Sequence, residues 1–258
     1  MNAPDRSIVR DKHVGTATIR GEDRRFLTGS ARFTDDVRLE RMVHAAVLRS
    51  PHANARILAI DTSAARTTQG VLLIMTGADL GERRPVIPIR IVPLPGLDRY
   101  LQHPIAVDRV RFVGEPVALV VAESRYIAED ALDRIVVEYE PLDPVTSIDQ
   151  AMQDKALVHE AVGTNIGSHY HVSRGDPECG FSGAEYTRKE RFRCHRHTAA
   201  PMETRGLVAE YDGAILRVWG ATKVPFFNRR VLAKMLALPE SSIDMVETDI
   251  GGGFGVRG

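Results

Sequence analysis

Residues 116–141 have the sequence PVALVVAESRYIAEDALDRIVVEYEP, in which the apolar pattern changes its period twice. The apolar run at 116–122 predicts a strand, and Ser124 provides a hydroxyl that can cap a helix running to about Arg134. The segment 135–139 predicts a returning strand. The order strand, helix, strand is typical of mixed folds, so this stretch predicts the fold class α/β (α+β). The apolar residues on one face of the predicted helix are Ile127, Ala131, Leu132 and Ile135.

The part of the chain before residue 116 adds short strands and one long loop. Apolar segments at 43–48, 56–60 and 71–75 predict three strands. Between residues 81 and 108, prolines prevent a regular hydrogen-bonded ladder because proline has no N–H group, and they predict a long surface loop. These prolines are Pro85, Pro88, Pro93, Pro95 and Pro104.

The later part of the chain predicts a hairpin, a helix and a final strand. Asp212-Gly213 lies between two apolar segments, which is the strongest short hairpin signal in the chain. Pro225 suits the first turn of a helix, and 243–248 predicts the last strand. Charged and apolar residues alternate at 186–197, which predicts a further strand.

These segments indicate two domains. We expect a flexible N-terminus at 1–13, a first domain at 14–145, a linker at 146–164 and a second domain at 165–258. The division follows the proline-rich close of the first strand–helix–strand stretch and the glycine-rich sequence that comes after it.

Composition excludes several classes of protein. The 34 basic and 34 acidic residues cancel, so the sequence lacks the basic excess typical of nucleic-acid binding. No run approaches the roughly 18 apolar residues of a membrane span, and the N-terminus lacks the apolar core of a secretory signal. Two cysteines argue against a disulfide framework. We therefore expect a cytoplasmic protein.

Gly251-Gly252-Gly253-Phe254-Gly255 directly follows the last predicted strand and is the sharpest local feature. Glycines permit positive φ and close approach of a ligand to backbone N–H groups, so the loop can cradle an anion. It lacks the GK[ST] ending of a phosphate-binding P-loop. Its letters, with Gly258, also match G-x-G-x-x-G, but such a loop normally opens a dinucleotide domain. From spacing alone, a ligand loop and a tight turn without a ligand stay equally open.

The remaining polar candidates carry weaker signals. Cys179 and Cys194, with His195 and His197 beside the latter, lack zinc-site spacing, so we expect no metal site but a polar strand with one buried thiol. Glu203 is a loop acid that we expect to be solvated or capping. We expect the same of Asp176. No G-x-S-x-G nucleophile motif is present.

Seven segments in order resemble the xanthine dehydrogenase/aldehyde oxidase family, particularly its carbon monoxide dehydrogenase-like, molybdopterin-binding large subunits. The earlier segments resemble the α/β hammerhead domain that begins those subunits, and the later two resemble the start of the molybdopterin-binding domain. The segments are RFLTGSARFTDD (25–36), VLRSPHANARILAIDTSAA (47–65), GVLLIMTGADL (70–80), VGEPVALVVAES (113–124), AEDALDRIVVEYEPLDPV (128–145), APMETRGLVAEYDG (200–213) and LALPESSIDMVETDIGGGFG (236–255).

The resemblance implies cofactor-binding roles for five residues. By position, the backbone N–H groups of Phe254 and Gly255 lie near an oxygen ligand of the molybdenum, and Gly252 and Gly253 shape the turn. Lys223 stands where relatives typically carry a glutamine near the metal centre. A lysine there can still donate a hydrogen bond to an oxo group.

The resemblance also implies the chemistry: hydroxylation of an aldehyde, an N-heterocycle or a similar small molecule, with water as the oxygen source. Electrons leave through the clusters of an iron–sulfur small subunit to an FAD-binding medium subunit. The family's glutamate base is expected beyond Gly258, so no catalytic residue is assigned. We expect the chain to be a truncated or split portion that needs the remainder of its subunit and is inactive alone. The alternative is a non-catalytic scaffold or assembly module that docks to redox subunits without binding the cofactor.

Overall fold

The computed structural model describes residues 14–82, 84–89, 94–220 and 222–257. The flexible terminus expected at 1–13 lies outside the described residues. The chain divides into two units. The loop unit comprises Met1–Arg38, Thr198–Arg229 and Pro239–Gly258, and the two-sheet unit comprises Leu39–His197 and Arg230–Leu238.

The regular elements are nine strands and six α-helices within the described residues. The strands are β1 His44–Arg49, β2 Ala55–Asp61, β3 Val71–Thr76, β4 Arg109–Val110, β5 Pro116–Ala122, β6 Val136–Pro141, β7 Val208–Tyr211, β8 Leu216–Gly220 and β9 Ile243–Glu247. The helices are α1 Asp23–Leu27, α2 Ser63–Arg66, α3 Arg125–Leu132, α4 Ile148–Ala151, α5 Pro177–Ser182 and α6 Pro225–Leu236. None of the helices in the described ranges is long and apolar enough to cross a bilayer.

The two-sheet unit contains two three-stranded antiparallel sheets, with strand orders β1-β5-β3 and β4-β2-β6. The predicted strand–helix–strand order is confirmed as β5, α3 and β6. The returning strand β6 does not pair with β5. Both edges of β5 are already paired, with β1 and with β3, so β6 forms its hydrogen bonds with β2 in the other sheet.

Helix α3 packs on the first sheet through small side chains. Ala128 and Ala131 are fully buried in the same cluster as Ile74 and Val120. Alanine at these positions lets the helix backbone approach the sheet closely. The predicted cap is confirmed, because Ser124 Oγ accepts a hydrogen bond from the N–H of Ile127 at 3.2 Å.

Two local expectations for this unit are wrong. Residues 186–197 form no strand, and all of them are exposed. A strand needs partners for its N–H and C=O groups and an apolar face to bury, and this segment has neither within the described chain. Cys179 and Cys194 are both exposed and free, so neither is the buried thiol that we expected. The proline-rich loop is confirmed over its described residues, with one short helical turn at Leu97–Tyr100.

The loop unit has a three-stranded sheet of order β7-β8-β9. Strands β7 and β8 form the predicted hairpin, and Asp212 Oδ1 accepts the N–H groups of Ala214 at 2.9 Å and Ile215 at 2.8 Å in its turn. Strand β9 pairs parallel to β8, with α6 between them in the chain. A parallel strand–helix–strand arrangement therefore occurs here rather than at 116–141.

Candidate functional site

The glycine loop follows β9 directly and turns sharply. Gly252 has φ +114°, Phe254 has φ +43° and Gly255 has φ +88°, all in the region that favours glycine. The N–H of Val256 donates to the carbonyl of Gly253 at 2.9 Å and closes the turn. The Phe254 side chain is 75% exposed, so the left-handed backbone at this residue is not stabilised by burial of the ring.

Several backbone N–H groups of this turn have no hydrogen-bond acceptor within the described residues. Among residues 14–82, 84–89, 94–220 and 222–257, none accepts a hydrogen bond from the N–H groups of Gly252, Gly253, Phe254 or Gly255. A Cβ added to Gly253 or to Gly255 would meet nothing within 4 Å. Successive unpaired N–H groups beside open space form an arrangement that can bind an anionic group.

Glu203 lies against the start of the loop. Its Oε2 accepts the N–H of Gly251 at 2.8 Å, and its own N–H donates to the Gly251 carbonyl at 3.1 Å. Its Oε1 accepts the N–H of Thr34 at 3.2 Å. A Cβ on Gly251 would lie 2.4 Å from the Cβ of Glu203, so this contact requires glycine.

Arg257 lies at the end of the loop and contacts the same acid. Its Nη2 is 2.9 Å from Glu203 Oε2 and donates to the Glu203 carbonyl at 2.6 Å. The Arg257 side chain is only 6% exposed. Its Nε is buried and has no hydrogen-bond partner in the described part of the chain. Arg205 Nη2 donates to the carbonyl of Val256 at 2.8 Å and holds the adjoining backbone.

A segment from early in the chain packs beside the loop within the same unit. Asp249 Oδ2 accepts the N–H of Arg32 at 2.8 Å, and Arg25 forms an ion pair with its other oxygen. The backbone N–H of Arg32, and then the guanidinium of Arg25, hold the pKa of Asp249 below its ordinary value. Thr34 and Thr248 add a contact between hydroxyl oxygens at 3.3 Å.

Lys223 is fixed through its backbone. It adopts φ +63°, and its N–H donates to Glu247 Oε1 at 3.1 Å. The N–H of Thr222 donates to the same oxygen at 3.0 Å, and the Thr222 hydroxyl donates to Oε2 at 2.5 Å. The Lys223 side chain is exposed. The structure therefore constrains where this side chain starts and leaves its ammonium group in solvent.

The other polar candidates have local roles or none. Asp176 caps α5 by accepting the N–H of Cys179 at 3.0 Å, as expected. No cluster of three or more metal-ligating side chains occurs in the described part of the chain. The expectation that Glu203 is a solvated or capping acid is wrong. No sequence signal near Glu203 indicates its role, because its partners at Thr34 and Gly251 lie 169 and 48 residues away.

Comparison with known proteins gives matches along both parts of the chain. Residues 28–143 match the model for the α/β hammerhead domain of aldehyde oxidase and xanthine dehydrogenase, and residues 158–258 match the molybdopterin cofactor-binding domain. The nicotine 6-hydroxylase large subunit of Paenarthrobacter nicotinovorans is 37% identical over 95% of this chain and 30% of that protein. The carbon monoxide dehydrogenase large chain of Afipia carboxidovorans is 36% identical over 94% of this chain and 31% of that protein. The chain thus spans about a third of the length of these relatives.

Solved structures agree with these matches. Quinoline 2-oxidoreductase from Pseudomonas putida 86 superimposes with a TM-score of 0.84 at 40% identity, covering 95% of this chain and 31% of that one. The Cu,Mo-CO dehydrogenase superimposes with a TM-score of 0.79 at 34% identity, covering 93% of this chain and 32% of that one. The aldehyde oxidoreductase of Desulfovibrio gigas, at 22% identity and a TM-score of 0.80, shares the fold.

Proposed function

The chain belongs to the aldehyde oxidase and xanthine dehydrogenase family, and we propose that it supplies the hammerhead domain and one wall of the cofactor site of a molybdenum hydroxylase large subunit. In the complete enzyme the substrate is an aldehyde, an N-heterocycle or a similar small molecule, and water is the source of the inserted oxygen. The names of the nicotine and quinoline relatives favour an N-heterocycle within this range.

The residues of the glycine loop suit an anionic, oxygen-rich group such as molybdopterin. The observation that carries this proposal is the run of four N–H groups, from Gly252 to Gly255, that donate to no acceptor in the described chain. Such donors are fixed in place by the turn and need no rearrangement when negative charge develops beside them. Arg257 ends the same loop, and its buried Nε has no hydrogen-bond partner within the described residues although its guanidinium is ion-paired with Glu203.

We assign specific roles to this chain's residues. Phe254 and Gly255 would hold the cofactor through backbone hydrogen bonds from their N–H groups, while Gly252 and Gly253 would keep the turn open. Lys223 stands in place of the usual glutamine and donates from its ammonium group. The cofactor, when bound, supplies the two-electron oxidation of the substrate carbon. The chain's own contribution is therefore to bind and orient rather than to transfer protons.

The rest of the enzyme is proposed from the family. Its partners are the remainder of the large subunit, an iron–sulfur small subunit and an FAD-binding medium subunit. The catalytic glutamate and most contacts to the pterin belong to that remainder, so activity requires the assembled complex. Both cysteines of this chain are free, which suits a reducing cytoplasmic setting.

The experiment is reconstitution of the complete large subunit with the redox subunits, followed by measurement of bound molybdenum and pterin. We expect stoichiometric cofactor, and oxidation of an N-heterocycle or aldehyde with an artificial electron acceptor. Gly253→Ala places a methyl group in the open space beside the free N–H groups and is expected to lower cofactor content. Gly180→Ala is the matched control, because Gly180 also has open space around it and lies in exposed helix α5.

The alternative is a scaffold that docks to redox subunits without the cofactor. An intact assembly that contains no molybdenum would establish that alternative and reject the enzymatic proposal. A Gly253→Ala complex with unchanged cofactor would reject the assignment of the glycine loop.

A further inference from the structure

The glycine loop has few backbone hydrogen bonds of its own to hold its shape. Four of its N–H groups donate to no acceptor among the described residues, so there the turn from Gly252 to Gly255 is closed by one backbone bond, from Val256 to Gly253. A loop that is to present donors in fixed positions must therefore be anchored from outside the turn. The structure shows which side chain does this.

Glu203 holds both ends of the loop. At the start, it bonds to both polar backbone groups of Gly251, at 2.8 Å through its carboxylate and at 3.1 Å through its own N–H. At the end, Arg257 reaches the same carboxylate oxygen at 2.9 Å and the Glu203 carbonyl at 2.6 Å. One residue thus fixes the chain immediately before and after the four free donors.

The environment strengthens these contacts. The side chains of Glu203 and Arg257 are 14% and 6% exposed, so water competes little for their hydrogen bonds. Charge-assisted hydrogen bonds are roughly twice as strong as neutral ones. The second carboxylate oxygen is engaged as well, with the N–H of Thr34. Both carboxylate oxygens of Glu203 therefore already accept hydrogen bonds from the protein.

We propose that Glu203 is a positioning residue for the glycine turn, whose carboxylate locks Gly251 and Arg257 so that the N–H groups between them are presented to the cofactor. This inference rests on the proposed function of the loop. It assigns Glu203 no contact with substrate or metal. Its effect on the turn is transmitted through Gly251 and Arg257.

The test is Glu203→Gln in the complete large subunit assembled with its redox partners. Glutamine keeps the shape but has one acceptor oxygen and no charge, so it cannot serve Thr34, Gly251 and Arg257 together. We expect about tenfold faster hydrogen exchange at Gly251 and Val256, whose amides are the hydrogen-bonded ones of this segment, as the effect of losing one charge-assisted bond. We expect retention of molybdenum to weaken by about 10- to 100-fold, the usual cost of losing an outer-shell partner. The Mo(V) electron paramagnetic resonance signal should also shift.

Asp212→Asn is the matched control. Asp212 also accepts two backbone N–H groups and pairs with an arginine, Arg217, but it does so in the β7–β8 turn. This variant should leave exchange at Gly251 and Val256, molybdenum content and the Mo(V) signal as in the wild type. A general loss of stability in the sheet would change both variants alike.

The outcomes separate the two proposals. If the wild-type complex binds molybdenum and Glu203→Gln matches Asp212→Asn in all three measurements, the positioning role is rejected and the function of the loop stands. If the wild-type complex holds no molybdenum, the function fails, and the positioning role fails with it.

A second variant tests the proposal if the Glu203→Gln complex does not assemble. Arg257→Gln removes the same ion pair while the two backbone bonds to the carboxylate remain. It should accelerate exchange at Gly251 and Val256 and weaken molybdenum retention. Behaviour identical to Asp212→Asn would overturn the proposal. Where both single variants assemble, the effect of the double variant should be smaller than the sum of the two single effects, because both changes remove the shared ion pair between Glu203 and Arg257.

Discussion

Substitution of Gly251 by alanine gives a direct test of how Glu203 and the loop are packed. The backbone of Gly251 is not in the left-handed region, so alanine is permitted by its φ angle. The obstacle is space. The new methyl carbon would lie 2.4 Å from Glu203 Cβ and 3.3 Å from Glu203 Oε2, where ordinary contact begins at 3.4 Å.

The expected cost follows from what must move. Glu203 Cβ is attached to a backbone whose N–H bonds to the Gly251 carbonyl, so relief of the clash stretches the bonds between these two residues. Overpacking of this kind costs about 1–3 kcal/mol. Replacement of glycine by alanine also restricts the unfolded chain, which returns about 0.4–1 kcal/mol. We expect a net destabilisation of the loop unit of about 1–2 kcal/mol.

Native-state hydrogen exchange of β7, β8 and β9 is the appropriate assay, because it reports the local free energy of opening. A loss of about 1–2 kcal/mol corresponds to a fall in protection of roughly 5- to 30-fold. Gly253→Ala is the matched control: its Cβ meets nothing within 4 Å, so protection should stay unchanged or rise slightly. Equal protection in both variants would refute the packing argument between Gly251 and Glu203.

Three further outcomes are expected. Ile74 is 2% exposed in the core of the two-sheet unit, and Ile74→Ala should lower the free energy of unfolding in urea by about 2–5 kcal/mol. Leu72 lies on the same strand but is 55% exposed, so Leu72→Ala should lower it by less than about 1 kcal/mol. Asp249→Asn should be less stable than the wild type above about pH 4. The difference should vanish at lower pH, because the lowered pKa of Asp249 stabilises the folded state only where the carboxylate is charged. A stability difference that stays constant across a pH series of denaturation curves would contradict this. Lys223→Gly should preserve or raise the melting temperature, because φ +63° favours glycine. It should also reduce cofactor retention in the complex. A lower melting temperature would show that the lysine side chain supports the fold.

Local elements were largely predictable from the sequence. The cap at Ser124, the turn at Asp212 and the helix that begins at Pro225 depend on interactions within a few residues, and all three are confirmed. The strand predicted at 186–197 was wrong. Its charged and apolar residues alternate as in a strand, but neither face of the segment is buried. Periodicity reports a possible conformation, and only neighbours in space supply the partners that stabilise it.

The glycine loop could be identified from the sequence as a candidate cofactor site, but Glu203 and its partners, which contact the loop, could not. Glycine and strand signals lie next to each other at 243–255, whereas Glu203 is indistinguishable in the sequence from any other loop acid. Its role depends on Thr34, from early in the chain, and on Gly251 and Arg257, which lie together in the glycine loop.

The sequence alone predicted most of the local elements, among them the cap at Ser124, the turn at Asp212 and the helix at Pro225, and its motifs indicated the family. Only the tertiary structure decided that β5 and β6 join different sheets and that one half-buried carboxylate contacts both ends of the glycine loop. The physical reason is range: steric and capping preferences act within about one turn of chain, while strand pairing and ion pairing depend on which distant edges and charges remain free once the rest has packed.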